Sequence, residues 1–356
     1  MAEGEVVLGS IYVYAPNKVA PIVFSVLFGI SAIGHNWQCW RNNSWKMTGL
    51  HAFCAVLFTV GYALREYGAF NYMFEDKKSS QMTLGVYIAS QVFIYICPPL
   101  LELGNYHILS RTFHYIPSEA PIPPGRVLTI FAPVMMIVET LNSLGIAFTS
   151  NPTSSEAQAG KILVLAAIGI QICLILTFFT FAGIFHWRCS KNEVQTKAIP
   201  TLPIVMYLSM SLILIRSIYR MVEHAGNSAM DIHDLQTLQS LSPLMRYEWY
   251  FYVFEGATML ANSVLWNVWH ASRYLPRTKN YFIAEDGVTE MVWDQEDDTS
   301  ASMGQTGSES IIAKTAYGAM QILTLGVWGH VFPRKQSVLH QNQKDSLISE
   351  DSDRHV

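Results

Sequence analysis

Apolar residues run in seven long blocks, approximately 20–40, 48–70, 82–109, 127–149, 162–187, 202–224 and 247–270. Short polar breaks separate them, among them Arg41-Asn42-Asn43-Ser44, Glu75-Asp76-Lys77-Lys78 and Asn151-Pro152-Thr153. A helix needs roughly 20 mostly apolar residues to cross the hydrocarbon of a bilayer. Each block therefore predicts one crossing, and the chain reads as all-α, a seven-transmembrane helix bundle over residues 20–270. Pro98-Pro99 predicts a kink in the third block, and Pro133 and Gly145 mark further irregular points in the fourth. The first block follows an acidic rather than a basic start and is too long for a signal-peptide core, so it reads as a retained span.

Lys and Arg set the orientation. Arg41, Lys46, Arg111, Arg126, Arg188, Lys191, Lys197, Arg273, Arg277 and Lys279 fall on one side, against Lys18, Lys77, Lys78, Lys161 and Arg246 on the other. The excess places residues 1–19 outside the cell and residues 271–356 in the cytosol as a tail. Within that tail, 285–310 is acidic and rich in small residues, which reads as disorder. Residues 316–332 are apolar again but short and interrupted by Gly318, Gly326 and Gly329, so they read as a helix lying in the interface.

Composition narrows the classes. Of 356 residues, 51% are hydrophobic and 14% charged, against about a quarter charged in soluble proteins. That sets aside a soluble cytosolic enzyme. The formal net charge is −4, its acidic excess lies beyond His270, and no basic stripe follows the chain, so a nucleic acid is not the partner. Cys39, Cys54, Cys97, Cys173 and Cys189 lie in blocks or at their cytosolic ends, which predicts free thiols rather than an extracellular disulfide framework. The proline in Asn151-Pro152-Thr153 blocks glycosylation there.

The informative residues are ionisable groups inside the blocks. A charge at the centre of a membrane helix costs roughly 3 kcal/mol on insertion scales and is retained chiefly where it serves a pathway or a partner. Arg216, Arg220 and Glu223 share a face of the sixth block at i, i+4, i+7 spacing. Glu248 and Glu255 share a face of the seventh. Glu66 lies near the outer end of the second, beside Arg65; Glu139 is in the middle of the fourth, one turn before Asn142; Glu102 follows the prolines of the third. Facing lipid is untenable for these groups, so the faces point inward. The bland reading is a set of ion pairs that fixes helix packing; the reading preferred for the whole set is a polar cavity opening to the exterior.

The run Tyr247-Glu248-Trp249-Tyr250-Phe251-Tyr252 is in large part an interfacial aromatic belt, and Tyr252 is a candidate for contact with a bound chain or cation. His35, His186 and His270 lie near cytosolic helix ends. Their spacing lacks a metal-binding signature such as His-Glu-x-x-His, so no metal is expected. No Gly-x-x-x-x-Gly-Lys-Ser/Thr occurs, so ATP is not the direct driver and no cofactor is expected.

Two stretches carry a resemblance. Leu214-Ile215-Arg216-Ser217-Ile218-Tyr219-Arg220-Met221-Val222-Glu223-His224-Ala225-Gly226, followed by Glu248-Trp249-Tyr250-Phe251-Tyr252-Val253-Phe254-Glu255, closely resembles the fungal lipid-translocating exporter family, which includes aminocholesterol-resistance and sphingoid long-chain-base exporter proteins. Tyr14-Ala15-Pro16, Gly61-Tyr62-Ala63-Leu64-Arg65-Glu66, Pro98-Pro99-Leu100-Leu101, His35 and His270 support it. The resemblance implies a seven-helix fungal membrane protein concerned with lipid movement and resistance to toxic amphiphiles. Departures from the family pattern are Glu139 and Asn142 for Asp and Gln, Tyr247 for His, Ala271 for Pro, and Glu102 for a small residue.

The leading expectation is a multi-pass protein of the plasma membrane, or alternatively of an endomembrane, that binds and translocates or exports an amphipathic lipid-like molecule. Arg216, Arg220, Glu66, Glu139, Asn142, Glu223, Glu248, Glu255 and Tyr252 are the candidate binding residues. The alternative is an intramembrane enzyme in which Glu139 and Glu102 supply acid/base chemistry to an apolar substrate. A seven-helix receptor ranks below both, because Leu109-Ser110-Arg111-Thr112 stands where such receptors carry Asp/Glu-Arg-Tyr.

Overall fold

The computed structural model describes residues 6–73, 77–149, 157–194, 196, 198–226, 235–284 and 287–292. The chain is mostly helical. Helices α1 (Ala20–Asn42), α2 (Trp45–Phe70), α3 (Lys77–Tyr95), α4 (Cys97–Tyr115), α5 (Pro124–Thr149), α6 (Ala157–Lys191) and α7 (Leu202–Ala225) form the body. Two short helices follow, α8 (Leu235–Gln239) and α9 (Pro243–Arg246). Next come α10 (Glu248–Phe251), a π-helical turn (Tyr252–Ala257) and α11 (Thr258–Val268). Among the described residues, six stretches are long and apolar enough to cross a membrane: Ala20–Asn42, Trp45–Phe70, Met82–Tyr115, Pro124–Ile146, Gln158–Lys191 and Leu202–Ala225. The seventh expected block is helical as well, but the π turn divides it, so no single regular segment of it reaches spanning length.

Helix α1 passes directly into α2. Asn43 takes the left-handed conformation (φ 53°), its N–H and that of Ser44 close on the carbonyls of Trp40 and Cys39, and the chain reverses. This is the turn that commonly ends helices, and asparagine tolerates it. The third crossing breaks at Ile96, between α3 and α4. Pro98 and Pro99 bring no N–H to the carbonyls of Ile94 and Tyr95, the partners an unbroken helix would use. Pro133, in contrast, is carried inside α5 without ending it.

Gly145 serves packing rather than a kink. A Cβ built there would lie 2.8 Å from the Gly160 carbonyl oxygen and 2.9 Å from the Val164 amide of α6. Small residues at such crossings let membrane helices approach closely. Gly145→Ala is expected to force α5 and α6 apart and destabilise the fold by about 1–3 kcal/mol, the usual range for overpacking. Thermal unfolding in detergent checks this, with Gly85→Ala as the control because its Cβ would meet open space.

Helix α1 packs on α2 and α11, α5 on α6, and α4 on α2, α5 and α7; α7 in turn packs on α6 and α11. The polarity of the walls is inverted relative to a soluble bundle. On α7, Ile204, Leu208, Ile215, Ile218 and Val222 are exposed, whereas Ser209, Arg216, Ser217 and Arg220 are buried. On α1, Ile22, Val26, Ile30, Ile33 and Trp37 form an exposed stripe at helical spacing. Buried arginine behind exposed isoleucine is stable only where the surroundings are hydrocarbon. The chain is a multi-pass membrane protein.

Both flanks of the bundle are folded onto it. At one end, residues 6–14 turn back on themselves through the bridge Val6↔Tyr14, and Ser10 bridges to Met73. Val13 is buried here with φ 73°, a conformation that β-branched residues rarely adopt. At the other end, a 3₁₀ turn (Ala271–Arg273) leads to strands β1 (Tyr281–Ile283) and β2 (Glu290–Val292), paired antiparallel as Tyr281↔Val292 and Ile283↔Glu290. Arg111 of α4 fastens this segment by donating from Nη2 to the carbonyls of Pro276 (2.8 Å) and Arg277 (3.3 Å). Burial of Leu275 and Ile283 and the pairing of β1 with β2 hold this segment together, and β2 falls within the stretch 285–310 whose composition reads as disorder. The interfacial helix expected at 316–332 and the rest of the expected disordered segment lie outside the described residues.

Candidate functional site

The buried charges gather at the end of the bundle that carries Tyr12 and Glu248. Arg216 on α7 donates from Nε to both carboxylate oxygens of Glu255, 2.9 Å to each. Arg216 is 5% exposed and Glu255 fully buried. One turn further along α7, Arg220 pairs with Glu223 and its Nη2 lies 2.9 Å from Nε2 of His224. A third pair joins α2 to α10: Arg65 Nη2 donates to Glu248 Oε1 at 3.1 Å. Arg65 also donates to the hydroxyls of Tyr252 (3.2 Å) and Tyr14 (3.1 Å).

Rings close the gaps between these pairs. The guanidinium of Arg65 lies 4.1 Å from the Phe251 ring centroid and 5.0 Å from that of Tyr12. Tyr95 of α3 faces both α7 arginines, at 4.2 Å from Arg220 and 5.9 Å from Arg216. Cation–π contacts of this kind contribute about 2 kcal/mol when desolvated. A pocket of about 90 Å³ opens beside them, lined in part by Tyr12, Tyr14, Arg65, Tyr95, Tyr219, Glu223 and Phe251. Burial pushes the Tyr12 hydroxyl up to about 12, against the pull of Arg65. It therefore stays protonated at neutral pH and serves as a neutral polar group in the pocket wall.

Local sequence explains the placement. Arg65 shares its helical face with Gly61, Tyr62, Gly68 and Ala69, all buried, so the inward side of α2 is built from small residues and aromatics. The π turn carries Glu255 and Gly256. A Cβ at Gly256 would meet the ring of Phe24 and the hydroxyl of Tyr62, each at 2.9 Å, so glycine lets this turn approach α1 and α2. Single π turns inside helices are frequent at functional sites.

Of the expected binding residues, Arg216, Arg220, Glu223, Glu248, Glu255 and Tyr252 come together in this cluster, each arginine with its own carboxylate. Glu66 does not join them. It points off the adjacent face of α2, both carboxylate oxygens have no hydrogen-bond partner among the described residues, and Lys18 is the charge that acts on it. Glu139 is half-buried on α5 and feels the charge of Arg216. Asn142, one turn along, is also half-buried. Glu102 is fully buried deeper in the bundle and accepts a 3.0 Å hydrogen bond from Gln171 of α6. The sequence reading missed Arg65, Tyr14 and Tyr95. For Arg65 the signal was present, since it sits on the small-residue face of α2 while Glu66 is rotated about 100° away.

At the opposite end, His35 Nε2 lies 3.1 Å from the Ser263 carbonyl and His270 Nε2 3.1 Å from Thr48 Oγ1. His186 stands apart, stacked on Tyr207. Among the described residues no three His, Cys, Asp or Glu side chains are grouped as a metal site.

Fold and buried charge together define a multi-pass helical membrane protein with a charged, aromatic-lined cluster at one end. Residues 51–278 match the family described as RTA1 like protein, and the chain belongs to that family. It is 48% identical over 286 residues to a lipid-translocating exporter-like protein RTA1 of Leptosphaeria maculans, covering 79% of this chain and 54% of that protein. It is 25% identical to a probable lipid transporter, atnI, of Emericella nidulans, with 75% and 69% covered. To protein RTA1 of Saccharomyces cerevisiae it is 28% identical, with 70% and 81% covered. The chain thus spans about half the length of the Leptosphaeria relative. No solved structure matches it.

Proposed function

We propose that this protein translocates or exports an amphipathic, lipid-like molecule across the plasma membrane, binding its head group in the charged cluster. The observation that carries the reading is three ion pairs, with the rings of Tyr12, Phe251, Tyr252 and Tyr95 over their arginines, gathered at one end of the spans. Arg220 and Glu223 offer both signs of charge beside the pocket, which suits a head group bearing an amine and hydroxyls, such as a sphingoid base. Exposed apolar faces of α1 and α7 flank the cluster and suit the hydrocarbon tail. The names of two relatives, a lipid-translocating exporter-like protein and a probable lipid transporter, point the same way.

In this reading the helical run from Glu248 to Val268 is the seventh crossing, the N-terminus is outside and the cluster faces the exterior. The opposite helix ends carry Arg41 over Trp37 and Lys191 over Trp187, the basic and aromatic anchors expected at a cytosolic interface. Purified protein in phosphatidylcholine vesicles, given a fluorescent sphinganine that dithionite quenches in the outer leaflet, tests the proposal. Exchange between leaflets is expected to exceed that of protein-free vesicles, and Arg220→Gln and Glu223→Gln to slow it strongly. Exchange no faster than in protein-free vesicles overturns the proposal.

A further inference from the structure

Between the charged cluster and the histidines at the far end, the interior is not apolar. About two turns below Arg216 along α7, Ser209 Oγ donates to Asn262 Oδ1 of α11 at 2.6 Å. Asn105 of α4 and Trp266 of α11 both donate to the same hydroxyl, at 2.8 and 3.0 Å. Below them His51 of α2 lies against Gly104 and 5.1 Å from the Trp266 ring, and 6.3 Å from the ring of His35. The series ends at His270, between Thr48 Oγ1 and Ser272 Oγ (2.6 Å). Glu102 lies one turn from Asn105 on the same face of α4, on the side toward Arg216.

These groups hold more hydrogen-bonding capacity than the protein fills. Both ring nitrogens of His51, Nδ1 of His35, Oε1 of Glu102, Oδ1 of Asn105 and Nδ2 of Asn262 are buried without a partner among the described residues. Buried polar atoms are almost always bonded, to protein or to ordered water, and sites with several polar groups in reach are where buried water resides. A buried carboxylate and a buried imidazole cost a membrane bundle stability and are retained chiefly where they serve a pathway or a partner. The charges facing Glu102 are Glu139 from α5 and Arg216 from α7; those facing His51 are His35 from α1, His107 from α4 and His270.

We propose that this column is a hydrated proton path between the Glu255 and His270 ends of the bundle, with Glu102 and His51 as its proton-carrying groups. It deepens the translocator reading, on which its purpose rests, by naming the ion whose gradient drives the movement. A proton taken up at one end is matched by one released at the other. Each hop forms one O–H or N–H bond as the next breaks, so no redox partner is required.

Vesicles containing the full chain and an internal pH-sensitive dye, energised by a valinomycin potassium potential with sphinganine present, test it. Proton entry is expected to exceed that of protein-free vesicles. Glu102→Gln and His51→Phe should lose the excess, Glu102→Asp, which still titrates, should retain it, and Cys173→Ser, exposed on α6, should leave it unchanged. Where Glu102→Gln does not insert, Asn262→Leu closes the middle of the column and is expected to lose the excess too. Proton entry equal to protein-free vesicles, or undiminished in Glu102→Gln and His51→Phe, overturns the path. Vesicles that exchange fluorescent sphinganine without passing protons overturn it while leaving translocation standing; protons without lipid exchange do the reverse.

Discussion

Arg216→Gln is expected to destabilise the bundle by about 3–5 kcal/mol, the range for breaking a buried pair and stranding its partner. Glu255 is fully buried and its two oxygens both accept from Arg216. Arg220 lies too far along α7 to replace that fork and is itself committed to Glu223. Urea or thermal unfolding in detergent measures the loss. The double variant Arg216→Met, Glu255→Leu separates structure from function. Replacing both members of a buried pair with hydrophobic residues of similar size is often neutral, so the double variant is expected to regain most of the stability. It should nevertheless lose lipid exchange in vesicles. Exchange at the level of the unaltered protein would reduce this pair to a packing device.

Arg65→Lys is the second large effect. One guanidinium serves Glu248, Tyr252 and Tyr14 at once and lies over Phe251 and Tyr12. A lysine ammonium keeps the charge but not the planar fork or the ring stacking. Hydrogen bonds to charged groups contribute about 1.5–3 kcal/mol each, so a loss of about 3 kcal/mol is expected even with charge retained. Tyr14 and Tyr12 belong to the segment folded over this end of the bundle, so Arg65→Lys is also expected to loosen residues 6–14. Maleimide labelling of Ser10→Cys, buried in the parent fold, measures this, with faster labelling in the Arg65→Lys background expected. Equal labelling rates would mean that Arg65 does not hold the segment.

The blocks at 20–40, 48–70 and 202–224 were legible because hydrocarbon tolerates few polar residues and a crossing has a minimum length. Their ends were less so: α1 runs on to Asn42 because Asn43 can turn left-handed, which no hydropathy pattern reports. Gly145 shows the same limit. Its presence was noticed, but its reason, the Gly160 carbonyl of α6, belongs to another helix. The charges behaved similarly. That Arg216, Arg220 and Glu223 share a face followed from helical period alone. That Arg216 takes Glu255, and that Arg65 takes Glu248 while Glu66 turns away from the cluster, depended on helix rotation and on the π turn.

The amino-acid sequence by itself determined a bundle of membrane-crossing helices with arginines and glutamates turned inward, since solvation in hydrocarbon acts on each segment separately and needs no knowledge of its neighbours. Only the tertiary structure decided which charges meet, that Arg65, Tyr14 and Tyr95 join them, and that Ser209, Asn262, Asn105 and His51 line up between the two ends. Pairing across helices is settled by rotations and close approaches of segments distant in the chain. Those depend on side-chain fit at every crossing together, and no single stretch of sequence encodes them.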